Sequence, residues 1–280
     1  MQAIYYILEN IIPFEWITFN FMKNALIAIL LISPLLGLTG TMIVNNKMSF
    51  FSDALGHSAL TGIAIGVMFG IDNYILSMMG FAILFAIAIS AIIDAGISSS
   101  DTIIGVFSST GVALGIVMLS VNGGFSKYSN YLIGDILSIT PKEIKIIFVV
   151  LIIVILIWIL SFNKLMLASI NSDLATSKHV NVSFYKNIFV ILIALIVTIS
   201  IKWVGILIIN SLLVLPAATA RNVSKNIKLY HLLSVLFSLI SGISGLILSY
   251  YLGTASGATI VIICAGIFFI TFFIGKKSNT

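Results

Sequence analysis

The chain has 280 residues, of which 60% are hydrophobic and only 8% charged, with a mean hydropathy of +1.21. A soluble domain carries about 25% charged residues, so this composition excludes an ordinary soluble enzyme and implies a polytopic helical membrane protein. The net charge of +5 is no nucleic-acid footprint, because the basic residues fall between apolar runs, where membrane topology requires them.

Residues 1–20 mix Tyr5, Tyr6, Phe14 and Trp16 with Glu9 and Glu15, a composition suited to a membrane interface. No removable signal peptide is expected, since the first ten residues lack a basic start. A first span covers about 21–44, interrupted by Pro34 and closed by Asn45-Asn46-Lys47.

The second span, about 50–70, carries Asp53 and His57. Four residues apart on an α-helix, they stack on one face, and Thr61 extends that face with a hydroxyl. Rotated by roughly 100° lies a ridge of Ser58, Gly62 and Gly66, small enough for close packing of a neighbouring helix. Ionisable groups within a membrane are costly and face a bundle interior or a water-filled path. Asp53 and His57 make a two-ligand set for a divalent metal such as zinc or manganese; the alternative is a structural Asp–His hydrogen bond locking two helices.

A turn at 71–73 leads to a third span ending near Ile93, then a polar hinge from Asp94 to Asp101. Asp94 is either a solvated carboxylate at a span end or a further ligand or gate residue. Asp101 is expected to cap the fourth span, about 102–121, which contains the small-residue motif Gly111-Val-Ala-Leu-Gly115. Interruptions at 122–143 and 161–186 flank a fifth span, about 144–160. Within the second interruption, Ser172 or Asp173 is expected to cap a short helix ending near Lys178 and His179. Four further spans follow at about 182–201, 204–220, 229–251 and 258–274. Asn210 lies near the middle of its span, Pro216 bends the same helix, and Cys264, the sole cysteine, excludes an intrachain disulfide or a thiolate metal site.

Of the fourteen Lys and Arg residues, nine fall on one side of these spans: Lys47, Lys164, Lys178, Lys186, Arg221, Lys225, Lys228, Lys276 and Lys277. Lys23, Lys127, Lys142, Lys145 and Lys202 fall on the other. The richer side is assigned to the cytoplasm, which places the 161–186 break and the C-terminus inside and the N-terminus outside.

Phe51-Ser-Asp-Ala-Leu-Gly-His57 with Leu60-Thr-Gly-Ile-Ala64 resembles the signature of the zinc/manganese/iron ABC transporter permeases, the ABC-3 family. Asp101-Thr-Ile-Ile-Gly105, Gly134-Asp-Ile-Leu137 and Val204-Gly-Ile-Leu followed by Leu215-Pro-Ala-Ala-Thr-Ala-Arg221 match in the family's order. Thr61 departs from it by standing where proline is common, which removes the expectation of a sharp kink after His57. Gly56 replaces a frequent serine, and Ser100 a frequent acidic residue.

The resemblance implies an all-α polytopic membrane protein of about 8–9 transmembrane helices, a type II ABC importer-like permease bundle in the bacterial cell membrane. Its divisions are an extracytoplasmic leader (1–20), a single permease domain (21–275) with a cytoplasmic coupling loop at about 162–186, and a short tail (276–280). The cargo implied is divalent manganese, zinc or iron, with no tightly bound cofactor. Asp53 and His57 are its ligands, with Thr61, Asn210 and Asp94 as additional pathway candidates. Asp173, Leu174 and Ala175 resemble the helix that couples to the ATPase. Implied partners are a cytoplasmic ATP-binding subunit dimer, a second permease copy and an extracytoplasmic metal-binding protein. The chain lacks a Gly-x-x-x-x-Gly-Lys-Ser/Thr phosphate loop, so it is expected to be no ATPase itself. Competing readings are an ion-coupled carrier using Asp53 and His57 as proton sites, a permease for metal chelates of the vitamin B12 type, and an intramembrane hydrolase. The last lacks an oriented base and oxyanion site.

Overall fold

The computed structural model describes residues 2–11, 13–71, 73–121, 128 and 130–278. Asp72 of the expected turn, Lys127 and the last two residues of the tail lie outside the described residues, as do the side chains of Lys276 and Lys277. All regular structure among the described residues is helical. The helices are α1 (Gln2–Ile11), α2 (Asn20–Asn45), α3 (Phe51–Met68), α4 (Tyr74–Asp94), α5 (Ser100–Val121) and α6 (Asn130–Ile133). They continue with α7 (Pro141–Ile170), α8 (Ser172–Ser177), α9 (Val182–Val204), α10 (Ile206–Val223), α11 (Ile227–Leu252) and α12 (Ser256–Ser278).

Each expected span corresponds to one helix. Seven of them, α2, α4, α5, α7, α9, α11 and α12, are long and apolar enough to cross a membrane, and α10 is a shorter apolar helix. The exception is α3, whose 18 residues include Asp53 and His57. Helices α2 and α9 are the most buried of the seven. Around them α2 packs on α7, α10 and α11, while α9 packs on α3, α4 and α7.

The boundaries follow local chemistry. Thr140 and Glu143 form a reciprocal capping box with Pro141 in the first turn, starting α7 abruptly. α7 then runs ten residues beyond its expected end at Leu160. Its continuation, Phe-Asn-Lys-Leu-Met-Leu-Ala, contains no breaker, and a polar Asn or Lys at a span end is no obstacle to helix. The short helix α8 is capped by Asn171, whose side chain accepts from the Leu174 amide at 2.8 Å, not by Ser172 or Asp173. At the start of α5 the Thr102 amide reaches the Ser99 hydroxyl at 3.3 Å, leaving Asp101 in the first turn. Pro34 and Pro216 both lie inside continuous helices.

The leader is itself ordered. Lys23 pairs with Glu9, and the Tyr5 hydroxyl donates to Asn24, fastening α1 to the start of α2. Asn24 also donates to the Ile139 carbonyl at 3.2 Å, so α2 and α7 begin at the same end of the bundle and run parallel. Two further ion pairs tie helix ends: Lys202 with Glu143 at that end, and Lys186 with Asp94 at the opposite one.

Two sequence motifs meet at a backbone crossing beside Glu143. Gly134 has φ +70 and Gly205 has φ +89, and they pass so closely that a Cβ on Gly134 would lie 2.2 Å from the Gly205 nitrogen. The Asp135 amide donates to the Lys202 carbonyl at 3.4 Å across the same crossing. Asp135 then caps a 3-10 turn over Ile136–Ser138.

Candidate metal-handling site on helix α3

Helix α3 is enclosed by α4, α5, α9 and α10, and thirteen of its residues are buried. Small residues permit this. The Gly111/Gly115 pair of α5 lies on Ser58 and Thr61: a Cβ on Gly115 would stand 2.7 Å from the Thr61 nitrogen, and one on Gly111 would stand 3.3 Å from the Ser58 Cα. On the other flank, the Ser77 hydroxyl of α4 donates to the Gly62 carbonyl. The small-residue ridge thus meets two neighbouring helices.

Asp53 and His57 project from the face that remains. His57 Nε2 lies 3.6 Å from Asp53 Oδ2, and both side chains keep partial exposure, 22% and 33%. His57 Nδ1 is buried and, among the described residues, has no hydrogen-bond partner, an arrangement that costs about 1–3 kcal/mol when nothing else satisfies the atom. Ser108 of α5 donates to Asp53 Oδ2 at 3.5 Å. Ser52, the residue before Asp53, donates to Asn210 Oδ1 of α10 at 2.5 Å. His57 and Ser108 therefore face the carboxylate, and the Ser52–Asn210 bond ties the start of α3 to α10. Ser52 and Ser108 have no spacing relation to Asp53 that marks them in advance, because the helix-to-helix contact defines their roles.

The other expected pathway residues are placed differently. Thr61 is buried, and its hydroxyl donates to the Gly111 carbonyl at 2.5 Å. Each step of four residues overshoots a helical turn by roughly 40°, so after two steps Thr61 has rotated roughly 80° from Asp53 and faces α5. Asn210 sits beside the site with its side-chain oxygen engaged by Ser52. Asp94 is exposed, paired with Lys186 at the bundle end. His179 follows the C-cap of α8 with φ +57. His231, near the start of α11, has its ring among Trp158, Phe162 and Tyr230. Among the described residues no group of three His, Cys, Asp or Glu converges; Asp53 and His57 form a two-residue candidate, 3.6 Å apart.

Thr61→Val is expected to leave metal uptake within about twofold of wild type while lowering stability by about 1 kcal/mol, the worth of one hydrogen bond. Thermal unfolding of the detergent-solubilised protein checks the second part. An uptake loss as deep as that of a ligand variant would return Thr61 to the path.

Seven helices of membrane-spanning length and apolarity, packed with a short helix that carries a partly exposed carboxylate–imidazole pair, define a polytopic membrane protein. Residues 18–275 match the ABC 3 transport family. The chain is 34% identical over 261 residues to the manganese import system permease protein ScaB of Streptococcus gordonii, covering 93% of this chain and 94% of that protein. It is 32% identical over 256 residues to the high-affinity zinc uptake system membrane protein ZnuB of Haemophilus influenzae, covering 91% and 98%. Among solved structures, PsaBC from Streptococcus pneumoniae in complex with Fab superposes with a TM-score of 0.82 at 30% identity, over 98% of this chain and 96% of that one. The chain belongs to the ABC 3 transport family. It is accordingly a membrane permease and not an enzyme, ATP hydrolysis falling to a separate subunit in this family.

Proposed function

We propose that this permease imports divalent manganese or zinc, driven by ATP hydrolysis on a partner subunit, and that the metal passes the Asp53–His57 face of α3. The observation that carries the site is the unpartnered, buried Nδ1 of His57 beside a carboxylate held by Ser108. An imidazole and a carboxylate suit both metals. Two protein ligands are also fewer than the four of a closed structural zinc site, which favours passage over retention. A second permease copy facing the first is the proposed source of the remaining ligands. The basic-rich bundle end, with Lys47, Lys178, Arg221 and Lys225, is assigned to the cytoplasm. An extracytoplasmic binding protein then delivers metal at the end where Glu143 pairs with Lys202.

The test is uptake of manganese, zinc and iron by cells expressing the permease with and without its ATP-binding subunit. Uptake that requires the subunit and selects manganese or zinc supports the assignment. Uptake that persists without it and follows the proton gradient instead establishes an ion-coupled carrier.

Coupling is proposed to run through α8. Leu174 is 45% exposed on this six-residue helix at the cytoplasmic end, whereas Ala175 is buried beneath it. A projecting leucine on a short capped helix is a suitable knob for a groove in a partner. Asp173→Ala with Leu174→Ala is expected to reduce co-purification of the ATP-binding subunit at least tenfold, or to leave its ATP hydrolysis running without uptake. Normal co-purification and normal uptake in the double variant would reduce α8 to a connection.

A further inference from the structure

At the proposed cytoplasmic end, the termini of α2, α7, α10 and α11 surround a basin of about 600 Å³. Lys47, Arg221 and Lys225 line it, and no acidic residue does. Among the described residues none of these three makes an ion pair, whereas Lys23, Lys186 and Lys202 each have a carboxylate partner. The N-terminus of α11, capped by Asn226, turns its positive end to the basin, while the C-termini of α2, α7 and α10 turn negative ends to it, so the positive charge of the basin comes from Lys47, Arg221 and Lys225. A group of like charges around one concavity repels itself, and a counter-charge from outside the chain relieves that repulsion.

The wall of the basin is not wholly polar. Met166 and Ile227 contribute apolar surface. Further up the junction of α2 and α7 lies a shallow cleft lined entirely by apolar groups, among them Leu38, Val154 and Trp158. Both helices give the same offset between the two features. From Asn45 back to Leu38 is seven residues, about 10 Å, and from Met166 back to Trp158 is eight, about 12 Å. Because α2 and α7 run parallel, both offsets point away from the basin into the apolar zone. A charged head with a hydrocarbon chain trailing about 10 Å behind it fits this pair of features; a free anion uses only the first.

We propose that the basin binds the phosphate headgroup of an anionic phospholipid of the cytoplasmic leaflet, with an acyl chain lying in the α2–α7 cleft. The leaflet rests on the orientation given above, but binding itself does not. Basic pockets between transmembrane helices are suited to such headgroups.

The test is native mass spectrometry of the permease released from nanodiscs of phosphatidylcholine containing phosphatidylglycerol. The wild type is expected to retain phosphatidylglycerol. The variant Lys47→Ala/Arg221→Ala/Lys225→Ala is expected to bind it about 100-fold more weakly, each cation near an anionic surface contributing about fivefold. The charge-preserving variant Lys47→Arg/Arg221→Lys/Lys225→Arg should bind within a few-fold of wild type, which separates loss of charge from misfolding. Leu38→Trp, which fills the cleft and keeps all three cations, should also weaken retention. Equal retention by the wild type and the neutral variant overturns the proposal. So does full competition by inorganic phosphate with no effect of Leu38→Trp, which would make the basin a free-anion site. Loss of the ATP-binding subunit from the neutral variant with lipid retention unchanged overturns it too, in favour of a protein dock.

Discussion

Asp53→Ala and His57→Ala are each expected to reduce manganese or zinc uptake to background while the protein remains inserted at normal levels. The two side chains lie 3.6 Å apart on the one face of α3 left free by its neighbours. Their partial exposure means that neither carries much packing, so truncation removes chemistry and little stability. Asp53→Asn sharpens the test. It keeps the volume and an oxygen for Ser108, but removes the charge that a divalent ion requires, so uptake should fall with it as well. Metal binding by the detergent-solubilised permease, measured by calorimetry without the other subunits, should weaken in parallel. Wild-type uptake in both alanine variants would leave the pair as a structural contact between neighbouring turns of α3.

Gly205→Ala and Gly134→Ala should each cost about 2–6 kcal/mol of stability, roughly 1–3 for an unfavourable backbone region and roughly 1–3 for overlap. A Cβ on Gly205 would sit 2.2 Å from the Ile133 carbonyl oxygen, and the obstacle is backbone on both sides of the crossing. No rotamer change relieves that contact. Such a loss consumes much of the 5–15 kcal/mol available to an ordinary domain, so the monodisperse peak in size-exclusion chromatography of membrane extracts should largely disappear. Gly80→Ala is the control, since Gly80 lies within α4 with nothing within 4 Å of a built Cβ. Equal yields of all three variants would show that the crossing tolerates separation.

Helical spans are legible in this sequence because lipid imposes length and apolarity on each of them, and nine expected spans find nine helices. Their ends are less legible. α7 overran its expected end because Ser161 to Ile170 is helix-compatible, and polarity alone does not stop a helix outside the membrane. Caps went to Ser99 and Asn171, one or two residues earlier than read, because several adjacent side chains had the right chemistry. Asp53 and His57 were readable as a pair because both lie on one helix within a single turn. Thr61 was misplaced by counting in fours on a helix of 3.6 residues per turn. Ser52, Ser108 and Asn210 met at the site through long-range packing, which no local spacing encodes. The Gly134 and Gly205 motifs stood out separately, yet only the fold shows that each excludes a side chain from the other.

The composition of α3 bears on how the protein is made. Seven helices carry enough apolarity to partition into the bilayer on their own account, but α3 includes an aspartate and a histidine in 18 residues. An aspartate costs a lone helix about 2.5–3.5 kcal/mol at the membrane centre and less in the first turn, where Asp53 lies. In the finished bundle thirteen of its residues touch protein instead of lipid, so its neighbours serve as its solvent. Those neighbours, α4, α5, α9 and α10, all follow it in sequence, and α9 and α10 are synthesised more than a hundred residues later. During synthesis α3 therefore depends first on α4 and α5 to shelter it, and the surroundings of its Asp53–His57 face are finished only when the last third of the chain arrives.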